Sequence, residues 1–231
     1  QMSQFGAPDV LNVAEIDEPG VNPEEVLIEI HAASVNPADS KRRQGLYNNQ
    51  TELNFPYVLG RDFSGVIREC GINVKDFNSG DKVFGVLPVG QEGTYQEKLT
   101  IHSNLVTVKP DNMTHNEAAA LALTGLTALV SIEDCIKLQK DERILIHGGA
   151  GGVGSFAVQL AHYIGAYVIT TASTVNHEYL ESLGADEIID YNTQDFSEIV
   201  SNVDAVFDLI GGDVHERSLS VLRSQGRIAY I

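Results

Sequence analysis

The sequence predicts an α/β protein in two parts, a small antiparallel β barrel followed by a doubly wound parallel sheet. Three observations predict it. Residues 1–110 read as short β-rich runs between Gly, Pro, Asn and Asp clusters. Strands and helices alternate from Arg143 onward. A glycine-rich turn joins the first strand of that second half to its helix.

In the first part, 26–30, 65–68, 82–86 and 95–99 are the expected strands. A short helix interrupts them. Asn36-Pro37-Ala38-Asp39 offers a capping side chain, a proline at the first helical position and an acid in the first turn. After Lys109-Pro110 the pattern changes. Thr114-His115-Asn116-Glu117 is a capping box that opens an Ala- and Leu-rich helix reaching about Val130. Strand 143–147, helix 153–164 and strand 167–171 follow, then helix 176–183 closed by Gly184. Strand 187–190, a strand within 203–210, helix 215–222 and strand 227–231 complete the order. Such alternation means parallel strands with helices on both faces. The expected division is 1–113 and 114–231.

Composition narrows the function. The 231 residues are 43% apolar and 20% charged, the balance of a globular protein. The net charge of −17, without any Lys or Arg block, repels polyanions, so no nucleic-acid partner is expected. No apolar run approaches the roughly 20 residues that a bilayer span needs, so no membrane partner is expected either. Cys70 and Cys135 form no CxxC pair and fit a reducing compartment. Cytosol or organelle matrix meets that condition, and a cytoplasmic protein is the expectation.

Gly149-Ala150-Gly151-Gly152-Val153-Gly154 fits G-x-G-x-x-G. Its setting matters more than the match: it follows the apolar Ile144-Leu145-Ile146 and opens an apolar helix. Gly149 then permits the tight turn, Gly151 lets a pyrophosphate approach the backbone, and Gly154 lets helix and strand pack closely. Free N–H groups at the helix start face the phosphates. A purely structural turn, or a site for another nucleotide-like ligand such as S-adenosylmethionine, is the alternative. An NAD site wants an acid about 20 residues further on, at the end of the second strand. Thr170-Thr171-Ala172-Ser173-Thr174 stands there, with no acid before Glu178. That favours NADP, with Ser173 beside the 2′-phosphate, and a capping role for Ser173 or Thr174 is compatible.

Taken in order, several segments resemble the zinc-independent, quinone oxidoreductase-like branch of the medium-chain dehydrogenase/reductase superfamily. They are 34–39, 59–65, Glu117-Ala118-Ala119-Ala120 with Gly125-Leu126-Thr127-Ala128, 148–154 with Gln159-Leu160-Ala161, and Leu183-Gly184-Ala185-Asp186. The resemblance implies a GroES-like catalytic or substrate domain over 1–113 and a Rossmann NADP-binding domain over 114–231. It implies hydride transfer from NADPH to a quinone or to an activated alkene, an enone or enal, in a homodimer. An enoyl-thioester reductase and a catalytically silent NADPH-binding protein are the other readings.

In zinc-dependent relatives a Cys in the first segment and the His of Gly-His-Glu bind catalytic zinc. Asn36 and Arg61 stand in those places, and a guanidinium does not coordinate the metal. No metal is expected. Carried over from the family, Asn36 and Tyr47 face the nicotinamide, with Lys41 one helical turn after Pro37. These are the catalytic candidates, and Asn36 counts as a cofactor contact as well. The glycine loop with Ala150 and Val153, Thr127 near the cofactor, Ser173, Tyr191 at the adenosine phosphate pocket and Ile210 complete the cofactor set. Structural alternatives stand beside them: a helix cap for Asn36, the barrel rim for Tyr47, solvation for Lys41, and packing for Thr127 and Tyr191. Val175 stands where several relatives place a lysine for the 2′-phosphate, so a cationic partner is lost.

A doubly wound dinucleotide fold has six strands in two halves. Only five are counted here. The family also places a strand ahead of Gln4-Phe5-Gly6-Ala7-Pro8 and a return segment after the sixth strand. The expectation is a chain lacking its N-terminal strand and its C-terminal segment.

Overall fold

The computed structural model describes residues 1–46, 53–91 and 93–231. They form two compact units, Gln1–Leu123 and Thr124–Ile231, divided inside a helix rather than ahead of it.

The first unit holds β1 (Glu25–Ala32), α1 (Pro37–Arg43), β2 (Asp62–Cys70), β3 (Lys82–Val86), β4 (Lys98–His102) and β5 (Val106–Val108). Its sheet runs β4-β1-β2-β3-β5 with every pairing antiparallel. Period-two alternation sends Val26 and Ile28 of β1, Phe63 and Ile67 of β2, Val83 of β3, and Leu99 and Ile101 of β4 into one core. Burying each such side chain is worth roughly 1.5–3 kcal/mol. β4 begins at Lys98 rather than Tyr95, because the chain at Tyr95 turns away to bond the Leu59 carbonyl. The short β5 was not anticipated.

The helix α2 (His115–Leu129) starts as its capping box requires. Glu117 N–H donates to Thr114 Oγ1 at 3.2 Å, and Thr114 N–H donates to Glu117 Oε2 at 2.7 Å. It runs on through a wider π turn, Val130–Ile136. His115–Ile136 is therefore a helix of 22 residues, of which an 18-residue window has mean hydropathy 1.6, enough by length and composition alone to cross a membrane. Ser131, Glu133 and Asp134 interrupt its apolar residues, which is why the sequence shows no apolar run of that length. In the fold, Ala128, Ile132 and Ile136 pack into the core of the second unit.

The second unit continues with β6 (Arg143–Ile146), α3 (Gly152–Ile164), β7 (Tyr167–Ala172), α4 (His177–Ser182) and β8 (Glu187–Asp190). Then come α5 (Phe196–Ile199), β9 (Val203–Asp208), α6 (Asp213–Val221) and β10 (Leu222–Tyr230). All pairings are parallel, in the order β10-β9-β6-β7-β8. The chain winds outward from β6 to β8, then returns to lay β9 and β10 on the other side. The strand order thus reverses between β6 and β9, the place where open α/β sheets bind ligands. Ile144 and Ile146 pack with α3 and α4 on one face. Leu145 packs with Phe196 of α5 and Val221 of α6 on the other. The four-residue α5 was not anticipated. β10 pairs Leu222 with Val203, breaks register, and resumes with Arg227 opposite Ala205, which is where the expected strand begins.

Candidate functional site

Two loops leave the carboxyl edge of the parallel sheet on either side of the switch between β6 and β9. The first, after β6, begins with Gly148 in a left-handed conformation, φ 71°. Its Gly148 N–H donates to Thr171 Oγ1 at 3.1 Å, and Gly149 N–H donates to the Thr171 carbonyl at 3.2 Å. A Cβ on Gly149 would fall on the Thr170 hydroxyl, and one on Gly154 would fall on the Gly148 carbonyl. These two glycines are packing requirements. Gly151 is different, being exposed and having only the Gly148 carbonyl, at 3.4 Å, near a Cβ position. It caps α3 without any side-chain bond, so the first-turn N–H groups stay available. Ala150 and Val153 pack their side chains against the core and offer backbone alone. A Cβ on Gly152 would come within 3.1 Å of Thr124 Cγ2, a neighbour that sequence reasoning missed. This cradle of bare backbone at a helix N-terminus fits a pyrophosphate.

The second loop follows β9. Ile210 is 61% exposed, and its Cδ1 lies 3.2 Å from the Cβ position of Gly148, so the two loops meet. Asp208, wholly buried, accepts from the N–H groups of Ile210 at 2.9 Å and Gly211 at 3.0 Å. Its other oxygen lies 3.0 Å from His215 Nδ1. Neither Asp208 nor His215 was read from the sequence. The available signal was an acid closing an apolar strand directly before Leu209-Ile210-Gly211-Gly212.

At the end of β7 the hydroxyl run divides by strand alternation. Thr170 donates to the Ile146 carbonyl at 2.7 Å, Thr171 serves the glycine loop, and Thr174 donates to Asp190. Ser173 accepts from Asn176 Nδ2 at 3.1 Å and keeps its own proton to give. It occupies an N-cap position without making a capping bond. Val175 and Tyr191 are exposed, the latter 60%, and Thr127 is half-buried on α2. Asp190, also missed, is held below the usual carboxylate range by the Thr174 hydroxyl and the Asn192 N–H.

The first unit carries a separate polar cluster. The Asn36 Nδ2 donates to Ser34 Oγ at 3.0 Å and to Asp62 Oδ2 at 3.1 Å. Asp62, wholly buried, also accepts from the Ser34 N–H and hydroxyl. Asp39 accepts from the Asn36 N–H at 2.8 Å and from the Tyr95 hydroxyl at 3.0 Å. Burial pushes the Asp39 carboxyl up, against the pull of the Asn36 N–H. Burial and the Asp39 charge push the Tyr95 phenol up. Asp62, Asp39 and Tyr95 were missed because each partner lies far away in sequence or across a turn. Lys41 is exposed on α1, and Tyr47 lies outside the described residues. Arg61 spends its guanidinium on the Leu87 carbonyl, at 3.1 and 3.3 Å. Among the described residues, no group of three or more His, Cys, Asp or Glu is arranged to hold a metal ion.

The structure of the quinone oxidoreductase from Coxiella burnetii superposes with a TM-score of 0.91 at 39% identity, covering 99% of this chain and 73% of that one. The chain belongs to the medium-chain dehydrogenase/reductase superfamily, in its quinone oxidoreductase-like branch. Within that superfamily, the pattern described as alcohol dehydrogenase GroES-like domain matches residues 22–111. The one described as zinc-binding dehydrogenase matches 152–231. A mitochondrial NAD(P)H oxidoreductase of Mus musculus is 37% identical, over 90% of this chain and 58% of its own length. The chloroplastic NADPH-dependent alkenal/one oxidoreductase of Arabidopsis thaliana is 37% identical, over 98% of this chain and 60% of its own. The chain thus spans less than two thirds of these curated relatives. Their organellar locations overturn the cytoplasmic expectation. That expectation rested on two unpaired cysteines, which do not distinguish cytosol from an organelle matrix.

Proposed function

We propose that this medium-chain dehydrogenase/reductase chain binds NADPH and serves a reductase that passes hydride to a quinone or to an alkene activated by a carbonyl. The observation that carries the reading is the bare-backbone cradle at Gly151 together with an acid-free β7 end, where Ser173 holds a hydroxyl proton to donate. The likeness to an NADPH-dependent alkenal/one oxidoreductase supports the same cofactor and acceptor class. The amides of Gly152 and Val153 hold the pyrophosphate, which the bare Gly151 lets approach, and Ser173 donates to the 2′-phosphate. Thr127, Tyr191 and Ile210 line the cofactor. NADPH, when bound, supplies the hydride.

On the acceptor side, Asn36, Lys41 and Tyr47 remain the proposed contacts, in a substrate domain spanning 1–113 that precedes the cofactor domain 114–231. Zinc independence belongs to the proposal. Asn36 is committed to Ser34 and Asp62, Arg61 is committed to Leu87, and neither supplies a thiolate or an imidazole. The acceptor must then be polarised by its own carbonyl. A homodimer is part of the proposal through the family resemblance, and sedimentation tests it.

Titration calorimetry with both cofactors tests the binding step, and NADPH oxidation with quinones, enones and enoyl thioesters tests the acceptor. NADPH binds more tightly than NADH, and quinones or enones turn over. Equal or better affinity for NADH overturns the cofactor reading, and turnover of enoyl thioesters alone overturns the acceptor.

A further inference from the structure

The loop after β9 has little packing of its own. Gly211 and Gly212 are left-handed, at φ 77° and 60°, with nothing within 4 Å of either Cβ position. Ile210 is largely exposed. The shape of the loop is therefore set by what its amides bond. Those of Ile210 and Gly211 both donate to one atom, Asp208 Oδ1. The rotation of that carboxylate is set in turn by its second oxygen, 3.0 Å from His215 Nδ1. A carboxylate only accepts, so Nδ1 carries the proton. His215 stands in the first turn of α6, with its ring against Tyr230 of β10, centroids 4.8 Å apart. Two packed elements thus hold the imidazole, the imidazole holds the carboxylate, and the carboxylate holds the loop.

We propose that His215 is a positioning residue for the cofactor: acting through Asp208, it holds residues 210–212 in the shape that lays Ile210 against Gly148. The inference rests on the NADPH reading above and assigns that site a residue that makes no contact with the ligand.

The test compares the wild-type chain with His215→Ala and His215→Asn. Asn keeps an N–H donor close to the place of Nδ1. Amide hydrogen exchange is followed without cofactor, and NADPH affinity is measured by calorimetry. In the Ala variant, exchange at Ile210 and Gly211 accelerates about tenfold and the NADPH Kd rises about tenfold, the scale of one hydrogen bond to a charged group. Exchange in β6 and β7 stays as in the wild type, and the Asn variant recovers both values. Unchanged exchange at Ile210 and Gly211 in the Ala variant overturns the inference and leaves the NADPH reading standing. Faster exchange with an unaltered Kd overturns it too, as does an Asn variant that recovers neither value. A wild-type chain that binds no NADPH overturns the functional reading, and the cofactor role of His215 with it.

Discussion

His147 Nε2 lies 3.0 Å from the hydroxyl oxygen of Ser218, and its Nδ1 lies 3.3 Å from that of Thr171. One buried imidazole therefore ties β6 to α6 and, through Thr171, to the glycine loop. Burial pushes its pKa down to about 4 from the ordinary 6.5, against the pull of Asp208. As pH falls from 6.5 toward 4, the unfolded chain takes a proton that the native state refuses. Stability is lost across that window and levels off below it. The loss at pH 5 relative to neutrality is about 2 kcal/mol. It is read as the difference in urea unfolding free energy between wild type and His147→Asn at the two pH values. A difference that stays constant with pH returns His147 to an ordinary pKa.

Two glycines of one motif answer differently to the same substitution. Gly149→Ala places a methyl on the Thr170 hydroxyl, and such overpacking costs about 1–3 kcal/mol. Gly151→Ala has room and an ordinary negative φ, so its thermal unfolding matches the wild type. Its NADPH affinity nevertheless drops roughly tenfold, equivalent to about 1.4 kcal/mol, because the methyl stands where the pyrophosphate approaches. Equal melting temperatures for the two variants would count against this division of labour.

Tyr95→Phe removes a donor from the buried Asp39 carboxyl. Unfolding free energy falls by about 1–2 kcal/mol, the cost of a buried acceptor left one bond short. The Asp39 pKa, already raised by burial, rises further, since the phenol hydrogen bond now opposes that shift. Carbon-detected NMR titration of the Asp39 carboxyl follows it, and a downward movement would mean that another donor takes the place of the phenol.

Exhaustive chelation leaves NADPH oxidation unchanged, and elemental analysis finds no stoichiometric zinc. Asn36 and Arg61 already have other hydrogen-bond partners and present neither imidazole nor thiolate. A tightly held zinc ion would require ligands that neither residue supplies.

The glycine loop was legible because each glycine answers a need of its own neighbourhood: a turn, a bare backbone, a close helix. The parallel sheet was legible through its alternation. What escaped was non-local. Asp208 is useful only because α6 brings His215 back to it, and Asp62 only because Ser34 and Asn36 fold across it. The run 170–174 looked uniform in one dimension. Thr170 and Thr171 are buried on opposite faces of β7 and bond the Ile146 carbonyl and the Gly148 N–H, whereas Ser173 lies past the strand end and accepts from Asn176. β5 and α5 were too short for periodicity to register, and the continuation of α2 through the π turn Val130–Ile136 was hidden by the polar Ser131, Glu133 and Asp134.

Ile144, Leu145 and Ile146 are all wholly buried, on alternate faces of β6. A strand with no solvent side has no silent position, so nearly every polar replacement there unfolds the unit. In β10 no residue is fully buried, and Arg223 and Arg227 pair with Glu142 and Asp204. Random mutagenesis would accordingly leave β6 nearly invariant. Because Gly151 follows the end of β6 by only a few residues, selection for folding and selection for the proposed binding role act on neighbouring positions. A screen that scores only lost activity would merge the two, and the soluble fraction of each inactive variant is what separates them.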